Sequence, residues 1–132
     1  MVSIIICTHN GARYLPETIG YLNRMEVREG LLWEVILVDN NSTDNSAEVA
    51  YNTWTGGNNF RIVKEPRLGL IHARIRGLKE AQYDSITYVD DDNGVAPDWV
   101  NLVQDIFQEH PDVGICGGDS IPHYESPPPE WF

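Results

Sequence analysis

Val2-Ser-Ile-Ile-Ile-Cys7 is a nearly continuous β-branched run that stops abruptly at Thr8-His9-Asn10-Gly11. An apolar run without polar alternation is the pattern of a strand covered on both faces, as parallel strands are. Working outward, Glu34-Val-Ile-Leu-Val-Asp39 repeats the pattern, and Phe60-Arg-Ile-Val-Lys64 reads as a third strand. Ile86-Thr-Tyr-Val-Asp90 is a fourth strand and Val113-Gly-Ile-Cys116 a short fifth. The segments between them carry helical spacing. Leu15, Ile19 and Leu22 predict a helix from Tyr14 to about Met25, with Pro16 tolerated in its first turn. Ser42, Thr43 and Asp44 can cap a second helix with Ala47, Ala50, Tyr51 and Trp54 on one inward face. A third runs from Leu68 to Gln82 with Ile71, Ile75 and Leu78 inward. Pro97 opens a fourth, whose stripe is Trp99, Leu102, Val103, Ile106 and Phe107. The order βαβαβαβαβ implies an α/β fold: a Rossmann-like, mostly parallel sheet flanked by helices, with right-handed crossovers.

The 132 residues suffice for one domain with a single core. A hydrophobic share of 42% against 22% charged residues excludes global disorder. Nine basic against twenty acidic side chains leave a formal charge of −11, which argues against a nucleic-acid partner. Such a partner needs Lys and Arg to displace phosphate counterions. The longest wholly apolar run, Ile4 to Cys7, is too short to span a membrane, and no signal peptide is expected. Cys7 and Cys116 each lie in an apolar run and are expected to be buried thiols in a reducing, cytoplasmic compartment.

In open parallel sheets, ligands bind beyond the carboxyl ends of the strands, where strand order reverses. The residues delivered there are Thr8-His9-Asn10-Gly11, Asp39-Asn40-Asn41-Ser42 and Asp90-Asp91-Asp92-Asn93-Gly94. Three adjacent carboxylates repel one another unless a cation or hydrogen-bond donors neutralise them. Oxygen ligands at a strand end suit Mg²⁺ or Mn²⁺, which take one or two carboxylates and otherwise phosphate and water. If the strand persists, Asp90 and Asp92 point the same way, roughly 7 Å apart at about 3.3 Å per residue. That gap lets one aspartate hold a metal and the other a sugar hydroxyl. The plainer alternative is a solvated acidic turn ahead of the helix at Pro97.

No G-x-G-x-x-G follows the first strand and no Walker sequence occurs, so a phosphorylated ligand would need a metal to neutralise it. Arg67 and Arg74 can add positive charge beside a helix N-terminus. Thr8, His9 and Asn10 can hydrogen-bond a base or ribose, and Asp39 or Asn40 can accept a ring N–H. Each is equally suited to turn chemistry, because Asn41-Ser42-Thr43-Asp44 is also a good capping sequence. No histidine has a partner at metal-ligand spacing, and no Ser/His/Asp arrangement stands out.

Four stretches together resemble the family 2 glycosyltransferases, inverting nucleotide-sugar enzymes with a GT-A fold. They are Val2–Asn10, Val38-Asp-Asn-Asn-Ser-Thr-Asp44, Gly69-Leu through Ala73-Arg74 to Gly77-Leu78, and Tyr88-Val-Asp-Asp-Asp92. The resemblance implies that Thr8 and Asn10 lie near the nucleoside, that Asp39 and Asn40 approach the base, and that Arg74 lies near base or diphosphate; His9, between Thr8 and Asn10, is counted with the nucleotide-sugar-binding residues. It places Asp90 and Asp91 near ribose and donor sugar and Asp92 on the metal, Mg²⁺ or Mn²⁺, with Asp90 a second candidate ligand. Two departures stand out: Asn40 where many members carry a second acid, and Ile75 at a commonly polar position. Gly117-Gly118 and Pro127-Pro-Pro-Glu-Trp131 also look like members that build bacterial surface polysaccharides, a looser match.

The implied division is a nucleotide-sugar-binding domain over residues 1–118 and a Pro-rich tail over 119–132, leading toward an acceptor-binding half. Family members carry their catalytic base well beyond the aspartates, so it is expected past Phe132 and the chain reads as the donor-binding part of a longer enzyme. The expected partners are a UDP- or GDP-sugar donor and a glycan or lipid-linked acceptor. The expected place is the cytoplasm, at the inner face of a membrane if other parts of the protein attach there. A nucleotidyltransferase would need a Gly-rich basic loop where Gly11-Ala-Arg-Tyr-Leu15 stands. A receiver-type signalling module would need a lysine where Gly117-Gly-Asp-Ser120 stands.

Overall fold

The computed structural model describes residues 1–124, 126–129 and 131. Among them strands and helices alternate as β1 (Val2–Thr8), α1 (Leu15–Asn23), β2 (Trp33–Asp39), α2 (Ser46–Thr53), β3 (Phe60–Lys64), α3 (Leu70–Glu80), β4 (Ser85–Asp90) and α4 (Trp99–Glu109). The strands form one sheet in the order β3-β2-β1-β4, and every pair is parallel. Thr8 stands opposite Asp39, and Cys7 opposite Asp90. All four carboxyl ends therefore meet one edge, and the order reverses between β1 and β4, where a ligand crevice is expected.

The β-branched run of β1 is buried on both sides, as its composition predicts. Val2, Ile4 and Ile6 face a core with Leu15, Ile19 and Leu22 of α1, Ala50 of α2, and Val100 and Val103 of α4. Ile5, with Ile36 and Val38 of β2, faces Ala73 of α3. Each fully buried aliphatic side chain contributes about 1.5–3 kcal/mol, so this central strand carries much of the driving force.

Several expectations are corrected. On α3 the sheet-facing residues are Ala73 and Gly77, while Ile71, Ile75 and Leu78 are 63%, 40% and 53% exposed. Small residues let the helix lie close: a Cβ on Gly77 would sit 2.4 Å from Ile5 Cγ2. On α2, Tyr51 points outward and the helix begins at Ser46, whose N–H donates to Asp44 Oδ1 at 3.0 Å. Val113–Cys116 is not a strand; Val113 N–H closes a turn onto His110 O, and Ile115 is exposed. Cys116 is exposed and Cys7 half-buried, both as free thiols, with burial pushing the Cys7 thiol up to about 11. Glu125, Glu130 and Phe132 of the expected tail lie outside the described residues. Among the described residues, no helix is long and apolar enough to cross a membrane.

One charge is buried at the amino ends of the strands. Glu34 Oε1 accepts from Ser3 Oγ and from Gln82 N–H, both at 2.7 Å, and Oε2 pairs with the Arg61 guanidinium. Burial alone would raise its pKa; the Gln82 and Ser3 hydrogen bonds and the Arg61 charge outweigh that and hold it below the usual carboxylate range. A depressed folded-state pKa gives stability that is full above the unfolded value of about 4.3 and is lost as pH falls through the folded one. Glu34→Gln should therefore be less stable than wild type in urea at pH 7, and the gap should narrow below about pH 4. An unchanged gap across that range would remove the carboxylate's charge as the cause.

Candidate functional site

The loops after β1, β2 and β4 meet at the carboxyl edge, and much of their polarity is spent on one another. Asn10 adopts a left-handed φ of 56°. Its Oδ1 accepts from Thr43 N–H at 2.8 Å and Thr43 Oγ1 at 3.2 Å, and its own N–H donates to Ser42 Oγ at 3.0 Å. His9 Nδ1 lies 2.9 Å from the carbonyl oxygen of Asn40. Asp44 Oδ2 accepts from Ala12 N–H at 3.2 Å, and the Ser46 hydroxyl holds the Asp44 carboxyl below its ordinary pKa.

Asn40 is 4% exposed and its amide is fully engaged. Nδ2 donates to Glu65 O at 3.0 Å and Arg67 O at 2.7 Å, while Oδ1 accepts from Gly69 N–H at 2.8 Å. It thus ties the end of β2 to the segment leading into α3. A carboxylate cannot make the two donations, which accounts physically for an amide at this position. Glu65, also buried, accepts from Arg67 N–H at 2.9 Å and Nε at 3.1 Å, and Arg67 lowers its pKa. Arg67 is thereby committed to its own loop.

The three consecutive aspartates take three different surroundings. Asp90 ends β4 and lies 3.6 Å from Arg74, whose guanidinium sits 5.4 Å from the centre of the Tyr88 ring. Asp91 is half-buried, and its Oδ2 accepts from Thr8 Oγ1 at 2.5 Å. Asp92 is exposed and makes no hydrogen bond or ion pair with the described residues. The strand ends at Asp90, as read from the sequence, so the condition for Asp90 and Asp92 to point the same way is not met: a turn begins at Asp91, and Asn93 N–H closes onto Asp90 O at 3.2 Å. Asp39, 8% exposed, uses Oδ1 to accept from Ser42 N–H at 3.0 Å. Beside it opens a depression of about 600 Å³ lined by Ser42, Thr43, Asp44, Glu48 and Lys64.

Asp39, Asp90, Asp92, Arg74 and His9 lie at this edge, Asp90 and Asp92 with exposed side chains, while Thr8, Asn10, Asn40 and Asp91 tie its loops to one another and to the rest of the chain. Sequence reading placed Gly11 at this edge and Gly69 in a family stretch without giving either a role, and it missed Thr18; all three hold these loops in place. Gly11 carried a signal, as a glycine in the turn that follows a buried strand; Thr18 carried none, being an ordinary helix residue. Among the described residues no group of three or more His, Cys, Asp or Glu is placed to enclose a metal ion. The exposed carboxylates of Asp92 and Asp90 fit an ion held by one or two protein oxygens and completed by phosphate and water.

Asn40→Asp should lose both donated bonds and set a carboxylate against two carbonyl oxygens. The expected cost is about 1–3 kcal/mol in urea unfolding, with faster amide exchange at Arg67 and Gly69. A variant as stable as wild type would show that this clamp contributes nothing.

The family model described as Glycosyl transferase family 2 matches residues 3–129. A glucosyl-dolichyl phosphate glucuronosyltransferase of Haloferax volcanii is 24% identical over 133 residues, covering 99% of this chain and 42% of the relative. Among solved structures, Staphylococcus aureus TarS 1-349 in complex with UDP superposes with a TM-score of 0.71 at 23% identity, over 83% of this chain and 32% of that one. Mannosyltransferase PcManGT from Pyrobaculum calidifontis, with GDP-Man and Mn²⁺, gives 0.70 at 24% identity, over 80% and 32%. The chain thus spans less than half the length of these proteins.

Proposed function

Because the chain belongs to glycosyl transferase family 2, we propose that it binds the donor of an inverting sugar transfer, a UDP- or GDP-sugar, for delivery to a saccharide or lipid-linked acceptor. The observation that carries this reading is the meeting of Asp39, Arg74, Asp90 and Asp92 at the one edge where strand order reverses. The GT-A fold shared with neighbours whose structures contain UDP, or GDP-Man with Mn²⁺, supports it.

In this reading Asp39 accepts an N–H of the base and the outer edge of His9 faces the nucleoside. Asp90 accepts from a ribose or sugar hydroxyl, with Arg74 held beside it to balance its charge and approach the diphosphate. Asp92, with Asp90, holds Mg²⁺ or Mn²⁺. When bound, the metal supplies Lewis-acid neutralisation of the charge on the departing nucleotide. Inversion at the anomeric carbon needs a base that takes the acceptor hydroxyl's proton on the opposite face, and that base is placed past Phe132. The same reading assigns residues 1–118 to donor binding and 119–132 to the approach to the acceptor half. It places the work in the cytoplasm, in bacterial surface-polysaccharide synthesis.

Calorimetric titration of UDP and of GDP, with and without Mn²⁺, tests the assignment. The expected result is Mn²⁺-dependent binding of one nucleotide, lost in Asp92→Ala. Absence of binding by a folded chain, or binding indifferent to Asp92, would overturn donor binding as a property of this chain.

A further inference from the structure

Asp91 sits between two aspartates assigned to the donor, yet its contacts lie in the opposite direction. Its Oδ2 accepts from Thr8 Oγ1 at 2.5 Å, and its main-chain oxygen accepts from Thr18 Oγ1 at 2.9 Å. Thr8 and Thr18 are 2% and 1% exposed, so both hydroxyls sit in the core wall rather than the crevice. The carboxylate is tightly hemmed in on the side of Gly11. A Cβ on Gly11 would lie 2.2 Å from Thr8 Oγ1 and 2.4 Å from Asp91 Oδ2. Further along the same turn, a Cβ on Gly94 would lie 2.7 Å from the Tyr21 ring. The loop carrying Asp90 and Asp92 is therefore fastened to β1 by a side chain and to α1 by a main-chain bond and by close packing.

The geometry points to Asp91 as a positioning residue: it anchors the acidic turn to Thr8 and Thr18 and so sets where the Asp90 and Asp92 carboxylates stand, without touching donor or metal itself. This deepens the donor-site reading and rests on it. An acceptor is all the anchor needs, so an asparagine that keeps Oδ1 should serve where an alanine does not. A metal or sugar ligand would need the negative charge, and the two replacements would then fail alike.

The test compares Mn²⁺ binding, alone and with UDP or GDP, across Asp91→Asn, Asp91→Ala, Thr18→Val and Asp92→Asn. Loss of groups that orient a ligand typically weakens metal affinity about 10–100-fold. A drop in that range is expected for Asp91→Ala and Thr18→Val, with Asp91→Asn staying near wild type and Asp92→Asn losing binding. If Asp91→Asn falls as far as Asp92→Asn while Thr18→Val binds normally, Asp91 is a direct ligand and the proposal fails. Amide hydrogen exchange on the same proteins needs no ligand. Asp91→Ala and Thr18→Val should speed exchange at Asn93, whose N–H closes the turn, and leave Ile4–Ile6 protected. A chain that binds neither Mn²⁺ nor nucleotide would sink the donor-site reading, and the exchange pattern would still decide the anchor: unchanged exchange at Asn93 overturns it.

Discussion

Everything at the carboxyl edge is placed by β1. It is paired on both sides, by β2 and β4, and its two faces are both dry. A parallel strand has a side-chain period of two, so a slip of one residue would exchange the two faces. Here the exchange would turn Ile4 and Ile6 toward α3 and Ile5 toward α1, against partners shaped for the reverse. Only a glycine at 77 leaves room for Ile5, because a Cβ there would lie 2.4 Å from Ile5 Cγ2. The register in turn sets Thr8 beside Asp39 on one flank and Cys7 beside Asp90 on the other. Apolar packing some residues away thus decides which polar groups meet.

That placement brings three carboxylates into one turn, and the chain manages their mutual repulsion by separating their surroundings. Asp90 turns to a guanidinium, Asp91 to a buried hydroxyl, and Asp92 to solvent. Charges facing water are screened within a Debye length of about 8 Å, and one facing a donor is stabilised by the hydrogen bond. Arg74 is itself placed by the Tyr88 ring, whose hydroxyl donates to the Arg74 carbonyl at 3.2 Å. Burial and the neighbouring Cys7 raise the phenol's pKa, against the pull of Arg74, so it stays a donor.

The strands and the order of elements were legible in the sequence because buried parallel strands leave continuous β-branched runs that few other structures produce. The edge on which polar residues gather followed from that alone. Faces of helices were less legible. Reading α3 by its large apolar residues selects Ile71, Ile75 and Leu78, whereas close approach to a sheet selects small ones, Ala73 and Gly77. Size and hydrophobicity give opposite answers there, and packing follows size. Val113–Cys116 failed for a different reason: β propensity needs a neighbouring strand to act on, and no described strand pairs with it. Residue types at the site were legible, but their assignments were not, since Asn40 and Asp91 look the same in sequence whether they face a ligand or the chain.

The distinction matters for how such an edge can bind. A crevice whose every polar side chain waited for a ligand would have loops free to move, and ordering them on binding would subtract from affinity. Here Asn10 fastens the β1 loop to the β2 loop, Asn40 fastens β2 to the entry of α3, and Asp91 fastens the β4 turn to β1 and α1. Each fastening uses a short polar side chain at a strand end, so the anchors and the exposed groups alternate along the same few residues. Asp91 lies between the exposed Asp90 and Asp92, and Asn40 follows the buried Asp39. An alternation of this kind holds each exposed carboxylate by its immediate neighbour in the chain, which leaves little freedom between the fixed backbone and the oxygen that faces the crevice.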